Sequence, residues 1–318
     1  MERLYSDEAI PAHLRGAIIA LGNFDGFHLG HQAVVGRAVE RAAIEGRPVI
    51  VATFDPHPAR FFRPDATPFR LTSLDQRERL FAAAGASAML VFRFDAQMAA
   101  TGAQDFVRLL VEDMGAVGVV TGADFTFGKA RGGSVASLTE LGAAMGFTVR
   151  AVDPVTDADG QVVSSSRIRA ALQAGDCATA TRLLTRPFAI EGEVLHGDKV
   201  GRQLGFPTAN VDIGAYLRPA YGIYAVRGRL PDGRVLDGAA NLGIRPQFDP
   251  PKELLEPYFF DFSENLYGQH IEVELIERIR GEAKFEGLDA LMAQIARDCD
   301  TARHILAGQI LADRPRLA

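Results

Sequence analysis

The chain has 318 residues, of which 47% are hydrophobic and 23% charged, so it can bury a sizeable core and lies outside the composition of disordered proteins. Its 34 Lys and Arg against 40 Asp and Glu give a net charge of −6, which argues against sequence-independent binding to nucleic acid or an anionic membrane. The only cysteines, Cys177 and Cys299, lie in no metal-binding spacing, so we expect neither structural zinc nor a disulfide framework and predict a cytoplasmic protein.

The first half of the chain alternates short apolar runs with helical segments. We predict strands at residues 17–21, 48–54, 88–92, 117–121 and 148–152, and helices at 31–45, 74–84, 103–114 and 135–145. Strands that alternate with helices indicate an α/β domain, in which helices cover both faces of a parallel sheet. Ligands of such sheets bind beyond the carboxyl ends of the strands.

The second half of the chain has a different pattern. One helix is predicted over residues 166–184, and Arg186-Pro187 ends it, so we place a domain boundary there and expect domains 1–186 and 187–318. Alternating runs at 188–196, 222–230, 235–242, 258–262 and 270–279, with an Asp232-Gly233 turn, predict an antiparallel β-barrel. Apolar residues at helical spacing between Leu288 and Leu306 predict a closing C-terminal helix that packs on the barrel.

A glycine-rich string follows the first predicted strand. It reads Gly22-Asn23-Phe24-Asp25-Gly26-Phe27-His28-Leu29-Gly30-His31. Its small residues allow a ligand close to the backbone, and the N-terminus of the next helix attracts an anion. His28 and His31 share one face of a helical turn and could neutralise phosphate oxygens during phosphoryl or nucleotidyl transfer. The alternative is an ordinary strand-end turn with a histidine cap.

This string resembles the signature of nucleotidyltransferases with HxGH-type motifs, in the form found in bacterial bifunctional riboflavin kinases/FMN adenylyltransferases, also called FAD synthetases. The strings TFDPHP at 53–58, GADFTFG at 122–128 and VSSSRIR at 163–169 agree with that family and follow in its order. The resemblance implies a Rossmann-like N-terminal domain that transfers AMP from ATP to FMN. It also implies catalytic roles for His28 and His31.

The same resemblance implies two sets of binding residues in the N-terminal domain. The residues implied to bind the nucleotide are Gly22, Asn23, Phe24, Asp25, Gly30, Ser165, Ser166 and Arg169. Those implied to bind the flavin are Phe54, Pro56, His57, Pro58, Asp124 and Phe127. Ser166 stands where the family usually has Thr, and we expect little loss because the hydroxyl is kept. Without the resemblance, the prolines would simply end a strand and the serines would cap a helix.

A second glycine-rich string lies between Leu195 and Asn210 in the C-terminal half. Thr208 and Asn210 would offer a hydroxyl and an amide oxygen to Mg²⁺, although such loops in β domains are mostly turns. The string resembles the riboflavin kinase signature GxxxGxxxGFPTAN, and matching strings continue at 221–224, 240–246, 255–262, 266–268 and 280–285. This resemblance implies Mg²⁺ at Thr208 and Asn210, Glu256 as general base, and ATP binding by Gly197, Lys199, Gly201, Gly205, Pro207, Thr208 and Asn210.

The implied protein is a bifunctional enzyme that phosphorylates riboflavin to FMN and adenylylates FMN to FAD. We expect ATP, riboflavin and FMN as small-molecule partners, Mg²⁺ as cofactor, and neither nucleic acid nor membrane as partner; the oligomeric state stays open. Gln247 stands where Thr is usual and an unusual loop precedes Glu256, so Glu253 is an alternative base. Two other interpretations are an FMN adenylyltransferase with a degenerate kinase half and a flavin- or nucleotide-binding protein without turnover.

Overall fold

Six parallel strands form the main sheet of the first part of the chain. The computed structural model describes residues 1–196, 205–245 and 252–312, and it divides into one unit of residues 1–67 and 73–164 and a second unit of residues 68–72 and 165 onward. The strands of the first unit are β1 (Glu2–Tyr5), β2 (Ile18–Leu21), β3 (Val49–Asp55), β4 (Ala88–Arg93), β5 (Gly118–Gly122), β6 (Thr126–Phe127), β7 (Gly133–Ser134) and β8 (Thr148–Val152). The sheet order is β1-β4-β3-β2-β5-β8, while β6 and β7 form a separate pair.

Helices cover both faces of this sheet, as the sequence predicts. They are α1 (Leu29–Glu45), α2 (Pro58–Phe62), α3 (Leu74–Ala83), α4 (Ala96–Ala100), α5 (Ala103–Arg108) and α6 (Val135–Ala144). One apolar cluster joins Ile18 and Val51 to α1 and α3, and another joins Ile19 and Ile50 to α5 and α6. The Rossmann-like parallel sheet is therefore confirmed.

Three details of the first unit differ from the prediction. The sequence prediction does not include strand β1, because a four-residue edge strand that pairs only with β4 has too little apolar periodicity to detect. The continuous apolar run of strand β8 predicts burial on both faces, but the strand lies at the other edge of the sheet and is largely exposed. The helix predicted over 103–114 is α-helical only to Arg108 and continues as a π-helical turn over Leu109–Asp113.

The predicted helix 166–184 is two helices in the structure. Helix α7 spans Ser165–Ala174 and α8 spans Cys177–Leu184. Gly175 separates them with a φ of +82°, a conformation that ends an α-helix and favours glycine. The Asp176 side chain then caps α8 by accepting a hydrogen bond from the Thr179 backbone N–H at 2.9 Å. The domain limits 1–186 and 187–318 stay a prediction, since a compact unit and a functional domain can end at different residues.

A closed antiparallel barrel and a long helix complete the second unit, which confirms the predicted β domain. Its elements are β9 (Phe188–Leu195), β10 (Asn210–Asp212), β11 (Gly222–Arg229), β12 (Val235–Arg245), β13 (Lys252–Phe259), β14 (His270–Arg280) and α9 (Leu288–Ala312). The order around the barrel is β10-β13-β12-β11-β14-β9, and β9 pairs with β10 to close it. Helix α9 packs Cys299, Ala302 and Leu306 against Ala225 and Ile276 on the outer face.

Two strands of the barrel differ from the prediction. Strand β10 was not predicted because it has only three residues. The strand expected at 258–262 lies instead at Lys252–Phe259, since the chain turns after Phe259 and Asp261 has a φ of +54°. Polar Glu253 and Glu256 and a proline interrupt the apolar pattern of β13, and for that reason the sequence pattern misses most of it.

Gly228 gives a test of how tightly the barrel is packed. A Cβ atom at this position in β11 would overlap the ring of Phe259 in β13, so Gly228→Ala should strain the interior and destabilise the barrel by about 1–3 kcal/mol. Calorimetric unfolding of the full chain should show a lower midpoint. The matched control is Gly308→Ala in α9, where an added Cβ meets no atom within 4 Å and should leave the midpoint unchanged or higher. Equal midpoints for wild type and Gly228→Ala would contradict the packing.

Candidate active sites

The loop between β2 and α1, residues 22–28, is held in an unusual conformation. Phe24 and Phe27 have φ values of 50° and 43°, in the left-handed region that bulky residues rarely adopt. Both rings are buried and pack edge-on against Phe81 of α3, with centroid distances of 5.8 Å and 5.1 Å. Aromatic burial therefore fixes the loop at the carboxyl end of β2, where ligands of parallel sheets bind.

His28 and His31 lie together at the start of α1. His28 is the N-cap residue of that helix, and its ring stacks on His31 at a centroid distance of 3.6 Å. The edge of the Phe24 ring contacts His31 from another side, at 5.3 Å. A Cβ on Gly30 would lie 3.2 Å from His28 Cε1, so glycine leaves room for the imidazole. The predicted pair thus has the geometry needed to receive an anion at a helix N-terminus.

Arg77 of α3 is a buried residue whose contacts with this loop the sequence analysis did not predict. Its Nη1 donates to the hydroxyl of Thr53 at 2.8 Å and to the backbone carbonyl of Asn23 at 3.3 Å. The Thr53 hydroxyl in turn donates to the same carbonyl at 2.8 Å. The side-chain Oδ1 of Asn23 is buried without a hydrogen-bond partner among the described residues. A lone arginine within a helix gives no sequence signal for such a role.

The residues predicted to bind flavin have different surroundings. Phe54 and Phe127 are only 7% and 6% exposed. In the core, Phe54 stacks on Phe106 and Phe127 packs against it at a tilt, so little of either ring can contact a ligand. His57 accepts a hydrogen bond from the Ala59 N–H at 3.1 Å and caps α2, whose first residue is Pro58. Pro56 and Asp124 are exposed. These six flavin contacts stay predictions.

The remaining residues predicted for this nucleotide site lie in the second unit. Ser165 and Ser166 form the first positions of α7, and Arg169 lies one turn later. The Arg169 Nε donates to the backbone carbonyl of Phe69 at 2.8 Å, and its guanidinium lies 5.1 Å from the centre of the Phe69 ring. The hydroxyls stand where a helix N-terminus attracts anions. Their contribution to nucleotide binding stays a prediction.

In the barrel, β13 places Glu256 beside two asparagines. Asn241 of β12 pairs with Glu256, and its Nδ2 donates to Glu256 Oε2 at 3.1 Å. On the other side, β10 pairs Val211 with Leu255, so the same register sets Asn210 opposite Glu256. The Ala209 N–H donates to the Pro257 carbonyl at 2.9 Å and fixes the segment that carries Thr208. The structure therefore brings Thr208, Asn210 and Glu256 together.

A pocket of about 400 Å³ adjoins this cluster. It is lined by Pro207 and Thr208 and by aromatic residues that include Phe259, Phe262 and Tyr267. Its volume is typical of small-molecule sites. The predicted Gly197, Lys199 and Gly201, together with Gln247, lie outside the described residues. Gly205 is exposed, with a left-handed φ of +84°.

The alternative base, Glu253, is committed to other partners. Arg218 Nε donates to it at 2.7 Å, and the Tyr221 hydroxyl donates to its other oxygen. Burial acts to raise the pKa of Glu253, but these two hydrogen bonds outweigh it and hold the pKa below the usual value of a glutamate. Since Glu253 lies three residues before Glu256, strand alternation directs the two carboxylates to opposite faces of β13. The geometry favours Glu256.

Comparison with known proteins matches two families to successive parts of the chain. The family described as FAD synthetase matches residues 10–167, and the family described as riboflavin kinase matches residues 184–306. The bifunctional riboflavin kinase/FMN adenylyltransferase of Escherichia coli strain K12 is 40% identical over 289 residues, covering 91% of this chain and 92% of its own. That of Bacillus subtilis strain 168 is 38% identical over 288 residues, covering 89% and 90%. The chain belongs to this family.

One solved structure of similar fold is described by a name that differs from those of the curated relatives. The "Macrolide-efflux Protein from Streptococcus pneumoniae" superposes with a TM-score of 0.84 and 29% identity, covering 95% of this chain and 99% of that one. In the part of this chain that the structure describes, no helix has the length and apolar character needed to cross a bilayer.

Acid titration tests the contacts of Glu253. Because its folded-state pKa is lowered, Glu253 stabilises the fold above its ordinary pKa of about 4.5, and that contribution is lost as the pH falls through the lower folded-state value. Glu253→Gln should thus be less stable than wild type at neutral pH, with a difference that narrows near pH ~3. Urea unfolding at neutral pH and at pH ~3 measures the difference in free energy of unfolding. Glu286→Gln, at an exposed position, is the control. A difference that does not depend on pH would contradict the ion pair.

Proposed function

We propose that this family member catalyses both reactions for which its relatives are named. The second unit transfers the γ-phosphoryl group of ATP to riboflavin, giving FMN and ADP. The His28–His31 site transfers AMP from a second ATP to FMN, giving FAD and pyrophosphate. One observation carries the proposal: each of the two family matches contains a polar cluster among its described residues. The first contains the stacked His28–His31 pair, and the second contains Glu256, which the register of β10 and β13 sets opposite Asn210.

Adenylyl transfer needs charge stabilisation more than proton removal. The FMN phosphate is already ionised near neutral pH, so one of its oxygens can attack the α-phosphorus of ATP while pyrophosphate leaves. Negative charge then increases on the phosphate oxygens. The stacked imidazoles of His28 and His31 and the N–H groups of the first turn of α1 stand where they can bind those oxygens.

Phosphorylation of riboflavin needs a base, because its nucleophile is an alcohol. The Glu256 carboxylate takes the proton of the ribityl 5′-hydroxyl as that oxygen attacks the γ-phosphorus and ADP leaves. The pocket beside Thr208 has the size to hold the nucleotide. Glu253 remains bound to Arg218 and Tyr221 and forms part of the scaffold.

The donor set at Thr208 and Asn210 fits Mg²⁺. A hydroxyl and an amide carbonyl are hard oxygen ligands, and Mg²⁺ usually completes its shell with water and substrate phosphates. The described residues contain no cluster of three or more His, Cys, Asp or Glu that could bind a metal ion by themselves, so ATP would supply part of the shell. When bound, Mg²⁺ would neutralise charge on the transferred phosphate. The net charge of −6 and the two lone cysteines support small-molecule substrates and a cytoplasmic location.

Separate variants of the two sites test this assignment. The double variant His28→Ala/His31→Ala should lose FAD formation from FMN and still phosphorylate riboflavin, because the imidazoles serve only adenylyl transfer. Glu256→Ala should lower riboflavin phosphorylation by about 10²–10⁴-fold and leave FAD formation from FMN intact. Timed chromatography of flavins, with riboflavin or FMN as the starting flavin, measures both rates.

Two outcomes would contradict the proposal. One is loss of both activities in a folded single-site variant, and the other is a kinase rate insensitive to Glu256→Ala. His13→Ala, at an exposed histidine bound to Glu2, is the matched control for the first unit. FAD formed from FMN by the wild type, with no FMN formed from riboflavin, would identify the protein as an adenylyltransferase with a degenerate kinase half.

Magnesium dependence tests the metal assignment. Asn210→Ala removes one proposed oxygen ligand, so riboflavin phosphorylation should need a higher Mg²⁺ concentration and recover partly when Mg²⁺ is raised. The Mg²⁺ dependence of FAD formation from FMN should not change. An Asn210→Ala kinase with the wild-type Mg²⁺ dependence would refute Asn210 as a ligand.

A further inference from the structure

Asn241 is a polar residue on the barrel that has no role so far. It lies in the middle of β12, and the backbone register places it directly opposite Glu256 of β13. Directly paired residues of neighbouring strands point to the same face. The Asn241 Nδ2 donates to Glu256 Oε2 at 3.1 Å, so the contact is a real hydrogen bond and not only proximity.

The surroundings of Asn241 determine which end of its amide faces Glu256. Gly243 lies two residues further along β12 and on the same face; a Cβ there would overlap the Glu282 carboxylate and lie 3.6 Å from Asn241 Nδ2. The amide nitrogen is therefore near two carboxylates, those of Glu256 and Glu282. Ionised carboxylates only accept hydrogen bonds, so the NH₂ group and not the carbonyl must face them.

A single hydrogen bond of this kind matters for a long side chain. Glutamate has three rotatable bonds, and ordering it costs rotamer entropy that a general base must otherwise lose during the reaction. Asn241 is shorter and is fixed on a central strand with neighbours on both sides, β11 and β13. A single donor to Oε2 occupies one of the about four acceptor positions of a carboxylate.

We propose that Asn241 is a positioning residue for riboflavin phosphorylation, whose amide holds the Glu256 carboxylate in the orientation that accepts the proton of the ribityl 5′-hydroxyl. This inference rests on the proposed function, because it requires Glu256 to be the base. Asn241 touches neither reacting atom and acts through Glu256. It should therefore affect the rate of the chemical step more than the binding of either substrate.

The experiment uses the full chain with Asn241→Leu, which keeps the number and branching of the side-chain heavy atoms and removes the donor. The kcat of riboflavin phosphorylation should fall about ten- to a hundredfold, with little change in KM for riboflavin or ATP. Asn241→Asp, which replaces the donor with a like charge beside Glu256, should lower kcat at least as much. Circular dichroism and the calorimetric unfolding midpoint report whether the barrel of each variant is folded, and FAD formation from FMN on the same chain should be unchanged.

The matched control is Asp237→Asn. Asp237 lies four residues before Asn241 on the same strand and face, and it accepts a hydrogen bond from Arg227 Nε at 3.2 Å. This variant perturbs the outer face of β12 without touching Glu256, so it should keep the wild-type kcat. Equal losses in Asp237→Asn and Asn241→Leu would show a general effect on the strand and overturn the inference.

A double variant separates positioning from an independent role. In a Glu256→Gln background, measured in single turnover at high enzyme concentration, Asn241→Leu should add no further loss, because the residue through which it acts is already disabled. An additional tenfold loss would show that Asn241 acts apart from Glu256 and would overturn the inference. If Glu256→Gln alone keeps the wild-type rate, the proposed base is wrong. If Glu256→Gln fails while Asn241→Leu keeps full kcat, only the positioning role is wrong.

Discussion

Backbone hydrogen bonding between neighbouring strands fixes where the candidate site residues stand. In the first unit, β2 lies between β3 and β5, so its carboxyl end lies beside the carboxyl ends of both neighbours. The Gly22 N–H donates a hydrogen bond to the Ala52 carbonyl at 3.2 Å. In the barrel, β13 lies between β10 and β12 and sets Glu256 between two asparagines. Buried N–H and C=O groups must be paired, so neither arrangement can shift by one residue without losing a ladder of bonds and reversing every side chain.

The loop after β2 shows how packing maintains a strained backbone. Left-handed conformations at Phe24 and Phe27 cost about 1–3 kcal/mol each. Burying each phenyl ring stabilises by about 1.5–3 kcal/mol, and edge-on contacts with Phe81 add about 0.5–1.5 kcal/mol each. The two effects are of similar size, so the loop keeps this shape because its rings reach the core. The same buried rings direct the loop toward the His28–His31 pair. The geometry of the site therefore depends on the packing of the core.

The sequence predicts those parts of the fold that have a strong local pattern. Continuous apolar runs identify β2 to β5, and the barrel and α9 follow from alternating and helical spacing. What it misses depends on distant residues. In strand β13, Glu253 binds Arg218 and Glu256 faces the candidate site. These partners account for polar residues that the local pattern of a strand does not predict. Arg77 gains its contacts only when α3 packs beside β3, and Asn241 gains its contact only through the register of β12 and β13. Gly175 divides a helix whose side chains favour continuity.

The chemistry of the two nucleophiles explains why the two clusters differ in composition. An ionised phosphate attacks in adenylyl transfer, so a base would add nothing. Imidazoles beside a helix N-terminus provide donors and no fixed negative charge. In the kinase reaction an alcohol must lose its proton, and a carboxylate is required in spite of its repulsion of the phosphates. The amide of Asn241 donates to that carboxylate and orients it, whereas an arginine partner lowers the pKa of a carboxylate and weakens it as a base. Glu253, which does bind an arginine, illustrates that second case on the same strand.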